Sequence, residues 1–259
     1  WNGKTGFQKL LSHFYNQTSY LIDRKVLRDG GAFDLNPFKD ANTLGLNLNL
    51  RNTLFFNRGK QRYTTSYTYL ANTTRNLIAL GLQTNELKSH QLNFLHKVKE
   101  QYVLNFNSEI GTNSSNSENF EQRNYRLNTF NLNPEVSYLF NDNARISAFY
   151  TYAQKANQTE GFENLNQQNF GFTGSFSNAD KFSLNVGVKY IKNSFEGSAF
   201  SPVAYQMLEG LQPGTNFTWN VLAQKRITQF LDLNLSYQGR SSENTRTIHT
   251  GSVQLRAFF

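Results

Sequence analysis

Residues 182–190 read FSLNVGVKY. Phe182, Leu184, Val186, Val188 and Tyr190 occupy every second position, and Ser183, Asn185, Gly187 and Lys189 fill the gaps. Side chains along a strand point alternately to its two faces, so this stretch predicts a β-strand with one apolar and one polar face. The same period of two runs outward in both directions. Leu231, Leu233, Leu235 and Tyr237 oppose Asp232, Asn234, Ser236 and Gln238; Phe217, Trp219, Val221 and Ala223 oppose Thr218, Asn220 and Gln224. Upstream, Ile146, Ala148, Tyr150 and Tyr152, then Leu44, Leu46, Leu48 and Leu50, repeat the pattern. With a less regular first strand near 9–25, the chain predicts roughly twelve strands in a meander.

The connections differ in length. Short turns are expected near Asn57–Lys60, Asn141–Asn143, Asn178–Asp180 and Thr228–Gln229. Longer polar segments are expected at 29–42, 111–122, 155–168 and 196–214, with a short exception near 82–87. A helix of a turn or two fits only 203–211, stopped by Gly210 and Pro213. No linker or break in composition divides the chain, so 1–259 is read as one domain, standing alone or as the C-terminal part of a longer protein.

Mean hydropathy is −0.59, as in a soluble protein. Yet aromatic residues reach 15%, charged residues only 17%, and Asn occurs 34 times, so amides and hydroxyls cover the polar faces where Lys and Glu usually do. No cysteine is present, which rules out disulfides and thiolate metal sites. The net charge of +8 is scattered rather than clustered, so no nucleic-acid-binding tail is expected. No run approaches the 18 or so apolar residues of a membrane-spanning helix, and WNGKTGFQKLL at the start is unlike a signal peptide.

Two architectures bury one face of such a meander. A soluble barrel or sandwich turns its apolar face inward; an outer-membrane barrel turns it to lipid and lines its lumen with polar groups. Aromatic residues toward strand ends, short turns opposing long loops, and polar faces of Asn, Ser, Thr and Gln favour the second. We therefore expect a transmembrane antiparallel up-and-down β-barrel of about 12 strands. It would be closed, because an unpaired edge in hydrocarbon leaves backbone groups unsatisfied. Short turns would be periplasmic and the longer loops extracellular.

The chain ends in GSVQLRAFF, 251–259. Val253, Leu255, Ala257 and Phe259 continue the lipid-facing alternation, and this ending resembles the C-terminal signature of bacterial outer-membrane proteins. The Asn- and Tyr-rich style of SPVAYQMLEGLQPGTNFTWN (201–220) and RTIHTGSVQLRAFF (246–259) is similar to C-terminal barrels of Bacteroidota outer-membrane proteins. The resemblance implies integral residence in the outer membrane of a Gram-negative bacterium, with membrane lipid and the barrel assembly machinery as partners, and Val253, Leu255, Ala257 and Phe259 as the insertion signal.

Among the polar faces, Arg51, Glu109, Glu135, Arg145, Lys189, Asp232, Arg240 and Arg256 are the expected lumen charges. They would act either as a selectivity lining or as pairs that plug the interior. The segment 196–214 carries Phe200, Tyr205, Met207 and Leu208; it is read as a partner or ligand site, a constriction folded into the mouth, or a loop packed on its neighbours. His13, His90, His96 and His249 are dispersed, so no metal or other cofactor is expected. No G-x-S-x-G, H-E-x-x-H or P-loop pattern occurs, and the chain is read as no enzyme. The leading functional expectation is an anchor or subunit of a multi-protein envelope complex for secretion, assembly or surface display. The alternatives are a pore or small-solute transporter, and an adhesin or structural barrel. A TonB-dependent transporter has about 22 strands and a plugged lumen, so the chain could supply only its C-terminal barrel part.

Overall fold

In the computed structural model, residues 6, 11–26, 43–59, 62–79, 81–159, 161–178, 181–243 and 245–258 are described. Twelve strands form one sheet: β1 (Phe14–Val26), β2 (Thr43–Phe56), β3 (Tyr63–Ile78), β4 (Gly81–Val98), β5 (Tyr102–Ser117) and β6 (Tyr125–Asn141), then β7 (Ala144–Asn157), β8 (Asn164–Asn178), β9 (Phe182–Glu196), β10 (Gly214–Thr228), β11 (Leu231–Ser242) and β12 (Ile248–Ala257). Each strand pairs antiparallel with its neighbours in sequence, in the order β1 through β12. One α-helix, α1 (Pro202–Leu208), lies between β9 and β10, and a 3-10 turn (Glu121–Arg123) precedes β6. The expected loop 29–42 and Phe259 lie outside the described residues.

The register sorts the side chains into two faces. Leu50 faces Ala71, Phe94 faces Phe106, Tyr102 faces Tyr138, Phe170 faces Tyr190, and Leu235 faces Val253. This face is apolar and uncovered: Leu92, Val136, Ile146, Phe172, Tyr190 and Leu255 are all exposed. The other face is polar, and it holds the buried polar groups Thr53, Thr68, Ser89, Ser137, Ser147 and Asn193. A soluble barrel has the reverse arrangement. Broad exposed apolar surface demands an apolar solvent, so the outer face is the lipid face.

On β6 the outer apolar positions run from Phe130 to Phe140, ten steps of about 3.3 Å, or roughly 23 Å of height at a strand tilt near 45°. Aromatic rings border this belt. Phe14 with Phe56 (5.0 Å between centroids), Tyr102 with Tyr138 (5.0 Å) and Tyr138 with Phe140 (4.7 Å) edge the short-turn side. On the long-loop side the Tyr67 hydroxyl lies 2.6 Å from His90 Nδ1 and the Tyr237 hydroxyl 2.8 Å from His249 Nδ1. Rings with one polar atom suit the headgroup level.

The structure departs from expectation above that belt. Residues 82–87 are strand, not loop, because β3 and β4 pair to their ends, Ile78 against Gly81. Likewise β5 continues through Ser117, β7 reaches Asn157 and β8 starts at Asn164, so much of 111–122 and 155–168 is paired sheet. These ends are polar on both faces, as in Thr84, Asn85, Glu86 and Ser114, Ser115, Asn116. Beyond the membrane neither face meets lipid, so the hydrophobic period vanishes while backbone pairing goes on.

A second departure is the seam. Among the described residues β1 pairs with β2 and β12 with β11, and no pairing joins β1 to β12. Every position of β12 is exposed, and nearly all of β1. The sheet is the wall of an outer-membrane barrel, and among the described residues its two end strands each keep one unpaired edge.

Candidate functional site

The polar face is the candidate site, and its long-loop end is capped. Ser201 starts α1: its hydroxyl accepts from the Ala204 N–H at 3.0 Å, and Pro202 takes the first helical position, where no N–H is needed. Glu209, in the left-handed conformation at φ 55°, ends it. The helix turns Val203, Met207 and Leu208 onto Leu127 of β6 and Leu165 of β8, with Tyr125 and Phe195 packed around them. The register places Leu127 and Leu165 on the polar face, so the segment folds across the inside of the wall.

Polar groups fix it there. The Lys155 ammonium donates to the Met207 carbonyl (2.9 Å) and pairs with the Glu209 carboxylate (2.6 Å), a cation at a helix C-terminus. Asn216 accepts from the Gln212 N–H (3.2 Å) and donates to the Gln212 carbonyl (2.8 Å). Asn193 donates to the same carbonyl at 3.0 Å, and Arg240 donates to the Gly210 carbonyl at 3.2 Å. Glu163, before β8, receives hydrogen bonds from Asn157 Nδ2 (2.7 Å) and the Ser201 hydroxyl (3.0 Å). Burial alone would raise its pKa, but the bonds from Asn157, its own backbone and Ser201 outweigh that and hold the carboxyl below its ordinary value.

Phe200, Tyr205, Met207 and Leu208, one group by sequence, separate in space. Met207 and Leu208 are buried beneath the cap, whereas Phe200 and Tyr205 are 95% and 71% exposed at the mouth. Lys155, Glu163, Asn216 and Leu165 escape a sequence reading. Each is an ordinary polar or apolar residue at a strand end, and only the fold gathers them.

The expected lumen charges share one face. Arg51 lies opposite Ser19 and Leu70, Glu109 opposite Gln91 and Asn131, and Asp232 opposite Arg226 and Arg256. Arg145 donates to Glu135 at 2.7 Å and to the Ser137 hydroxyl at 2.6 Å, and Ser137 meets Ser147 at 2.9 Å. Arg226, absent from the sequence reading, pairs with Asp232 at 3.5 Å. Neutral ladders join them: Thr53 to Thr68 at 3.0 Å, Asn93 to Asn105 at 3.0 Å, Gln167 to Asn193 at 2.9 Å. Lys189 and Arg240 lie in one row with Thr218 between them. On the opposite face are Val253, Leu255 and Ala257, across from Leu235, Leu233 and Leu231.

The chain matches no protein-family model and no curated protein. Its fold is similar to that of the siderophore receptor PirA from Pseudomonas aeruginosa, with 14% identity and a TM-score of 0.52 over 83% of this chain and 37% of the receptor. It is also similar to the monoaromatic hydrocarbon channel CymD (11% identity, TM-score 0.42, 95% of this chain and 80% of the channel). A further similar fold is LpxR from Salmonella typhimurium (8% identity, TM-score 0.36, 81% of this chain and 88% of that one). The likeness is one of fold. The chain thus spans little more than a third of the receptor, 37% of its length. With its lipid face outward, this is an integral outer-membrane β-barrel protein. The expectation that it is no enzyme is corrected: outer-membrane enzymes, LpxR among them, are built on such barrels, so the fold gives that exclusion no support.

Proposed function

We propose that this chain forms the C-terminal twelve strands of a larger outer-membrane barrel that transports a small solute. The observation that carries the reading is the seam. β1 and β12 border a lipid-facing sheet, yet neither edge is paired among the described residues. In hydrocarbon each unsatisfied backbone group costs several kcal/mol, so both edges need strands, and strands preceding β1 in a longer chain would supply them. Barrels of about 22 strands enclose a plugged lumen wide enough for transport. The fold likeness to part of a siderophore receptor, with a TM-score of 0.52, supports a barrel of that size.

The anchor and adhesin readings draw on no separate feature of the described residues. Insertion through the barrel assembly machinery, with Val253, Leu255, Ala257 and Phe259 as the signal, belongs to the same proposal. The Bacteroidota-type origin rests on the Asn- and Tyr-rich composition alone.

Cysteine pairing in the full-length protein tests the reading, since the chain has no native cysteine. Single cysteines scanned along β1 from Tyr15 to Leu21 would be combined with Ser252→Cys or Gln254→Cys in β12. A disulfide needs Cβ atoms about 4 Å apart. We expect no β1–β12 disulfide in cells, and efficient disulfides from β1 to a preceding strand. A β1–β12 disulfide in good yield would mean that the twelve strands close on themselves.

A further inference from the structure

Several inner-face charges sit beside an opposite charge, as Glu135 does with Arg145, Asp232 with Arg226 and Lys155 with Glu209. Lys189 and Arg240 differ. Among the described residues neither makes an ion pair. Both line a hollow of about 570 Å³ on the inner wall of β9–β12, and no Asp or Glu is among its lining residues.

The register explains how the hollow forms. Lys189 of β9, Thr218 of β10, Arg240 of β11 and Ile248 of β12 stand side by side in one row. With strands about 4.8 Å apart, the Lys189 and Arg240 backbones are roughly 10 Å from each other, a gap that two long side chains can narrow onto one ligand. Next in the row is Gly171, whose missing side chain lets Phe149 lie across it; a Cβ there would stand 2.4 Å from the Phe149 ring. The Lys189 ammonium stands 5.9 Å from the centre of that ring. A ring face attracts an ammonium without cancelling its charge. Arg240 is tethered through the Gly210 carbonyl at 3.2 Å, again a neutral partner. One row further from the cap, a Cβ at Gly187 would stand 2.5 Å from Asn220 Oδ1, so the Asn220 amide lies over that glycine as the floor of the hollow. Leu222 and Ile248, 47% and 46% exposed, supply apolar surface within the hollow.

Two cations held by neutral groups, an apolar wall and no carboxylate define a chemistry. We propose that this hollow binds a small organic anion, a carboxylate joined to an apolar body, with Lys189 and Arg240 engaging the carboxylate and Leu222 and Ile248 the body. Guanidinium and ammonium donors form their strongest hydrogen bonds to carboxylates, and the volume falls in the usual range for small-molecule sites, about 300–1,000 Å³. The proposal rests on the reading of this face as the lining of a transport barrel.

Calorimetric titration of the full-length protein in detergent tests it, with phthalate, benzoate and benzylammonium as probes. Phthalate and benzoate should bind saturably, the dianion more tightly, and benzylammonium should not bind. Lys189→Gln and Arg240→Gln should each weaken phthalate about tenfold, the scale of one charged hydrogen bond, and the double variant should bind none. Lys189→Arg should retain binding, and Arg123→Gln, in the 3-10 turn before β6, should leave it unchanged. Binding of benzylammonium as tight as that of benzoate, no saturation by phthalate, or wild-type binding in the double variant would overturn the proposal. Uptake of labelled phthalate by intact energised cells that produce the full-length protein, against cells that lack it, separates the two ideas: binding without uptake sinks the transport reading and spares the site, and uptake without binding sinks the site alone.

Discussion

The capped mouth and the free seam are parts of one sheet with opposite environments. Under α1, Leu165, Ala204 and Met207 are fully enclosed, and Asn216, Asn157 and Glu163 are buried with hydrogen-bond partners. Along β12 every residue is exposed. Pairing within the sheet satisfies the backbone in both places, apart from the outermost edges. What differs is side-chain cover: the cap brings its own hydrophobic core, whereas the seam must find partners in lipid and in further strands. The local stability of this protein should therefore be uneven, highest where the β9–β10 segment crosses the wall.

That contrast can be broken most forcefully at the cap. Met207→Ala should cost about 2–5 kcal/mol of local stability, the usual range for removing a fully buried large side chain. Limited proteolysis of 197–213 would register it as faster cleavage with the sheet intact; an unchanged rate would mean that the segment is not held by its core. The seam responds to lipid instead. Val253→Arg should lower folding into bilayers by about 2–4 kcal/mol if it sits near the midplane, while Gln254→Arg on the opposite face should be nearly neutral. Equal effects would contradict the assignment of faces.

Glu163 gives the contrast a pH dependence. Its folded pKa lies below its ordinary value, so its carboxylate stabilises the cap above the unfolded pKa of about 4.3. That contribution falls away as pH drops through the lower, folded value. Hydrogen exchange in α1 should accelerate on acidification in this window, and Glu163→Gln should flatten the response; a variant with the same acid response as wild type would place the titrating group elsewhere. The smallest effect is expected at Phe200, 95% exposed on the same segment. Phe200→Ala should change stability by less than about 0.5 kcal/mol, and a larger loss would show that this ring has a partner.

Much of the wall is legible in the sequence. Period two gives the strands and their faces, and it places Arg51, Glu109, Glu135, Arg145, Lys189, Asp232, Arg240 and Arg256 together, because one-residue slips would carry apolar side chains to the wrong face. The polar strand ends are less legible. Residues 82–87 and 111–117 read as loop since, clear of the bilayer, no solvent difference marks their two faces. The candidate site is split the same way. Lys189 and Arg240 are visible as polar-face charges, yet their shared row with Thr218 depends on register across β9, β10 and β11.

The sequence by itself determined the strand alternation, the polar and apolar faces and the membrane in which they make sense, because each follows from contacts between one residue and its solvent. Only the tertiary structure decided that α1 folds onto Leu127 and Leu165, that Glu163 and Asn216 pin it there, and that among the described residues no pairing joins β1 to β12. These depend on pairs of residues far apart in the chain. A local pattern of polarity fixes which way a side chain points, and leaves open which distant group it will find.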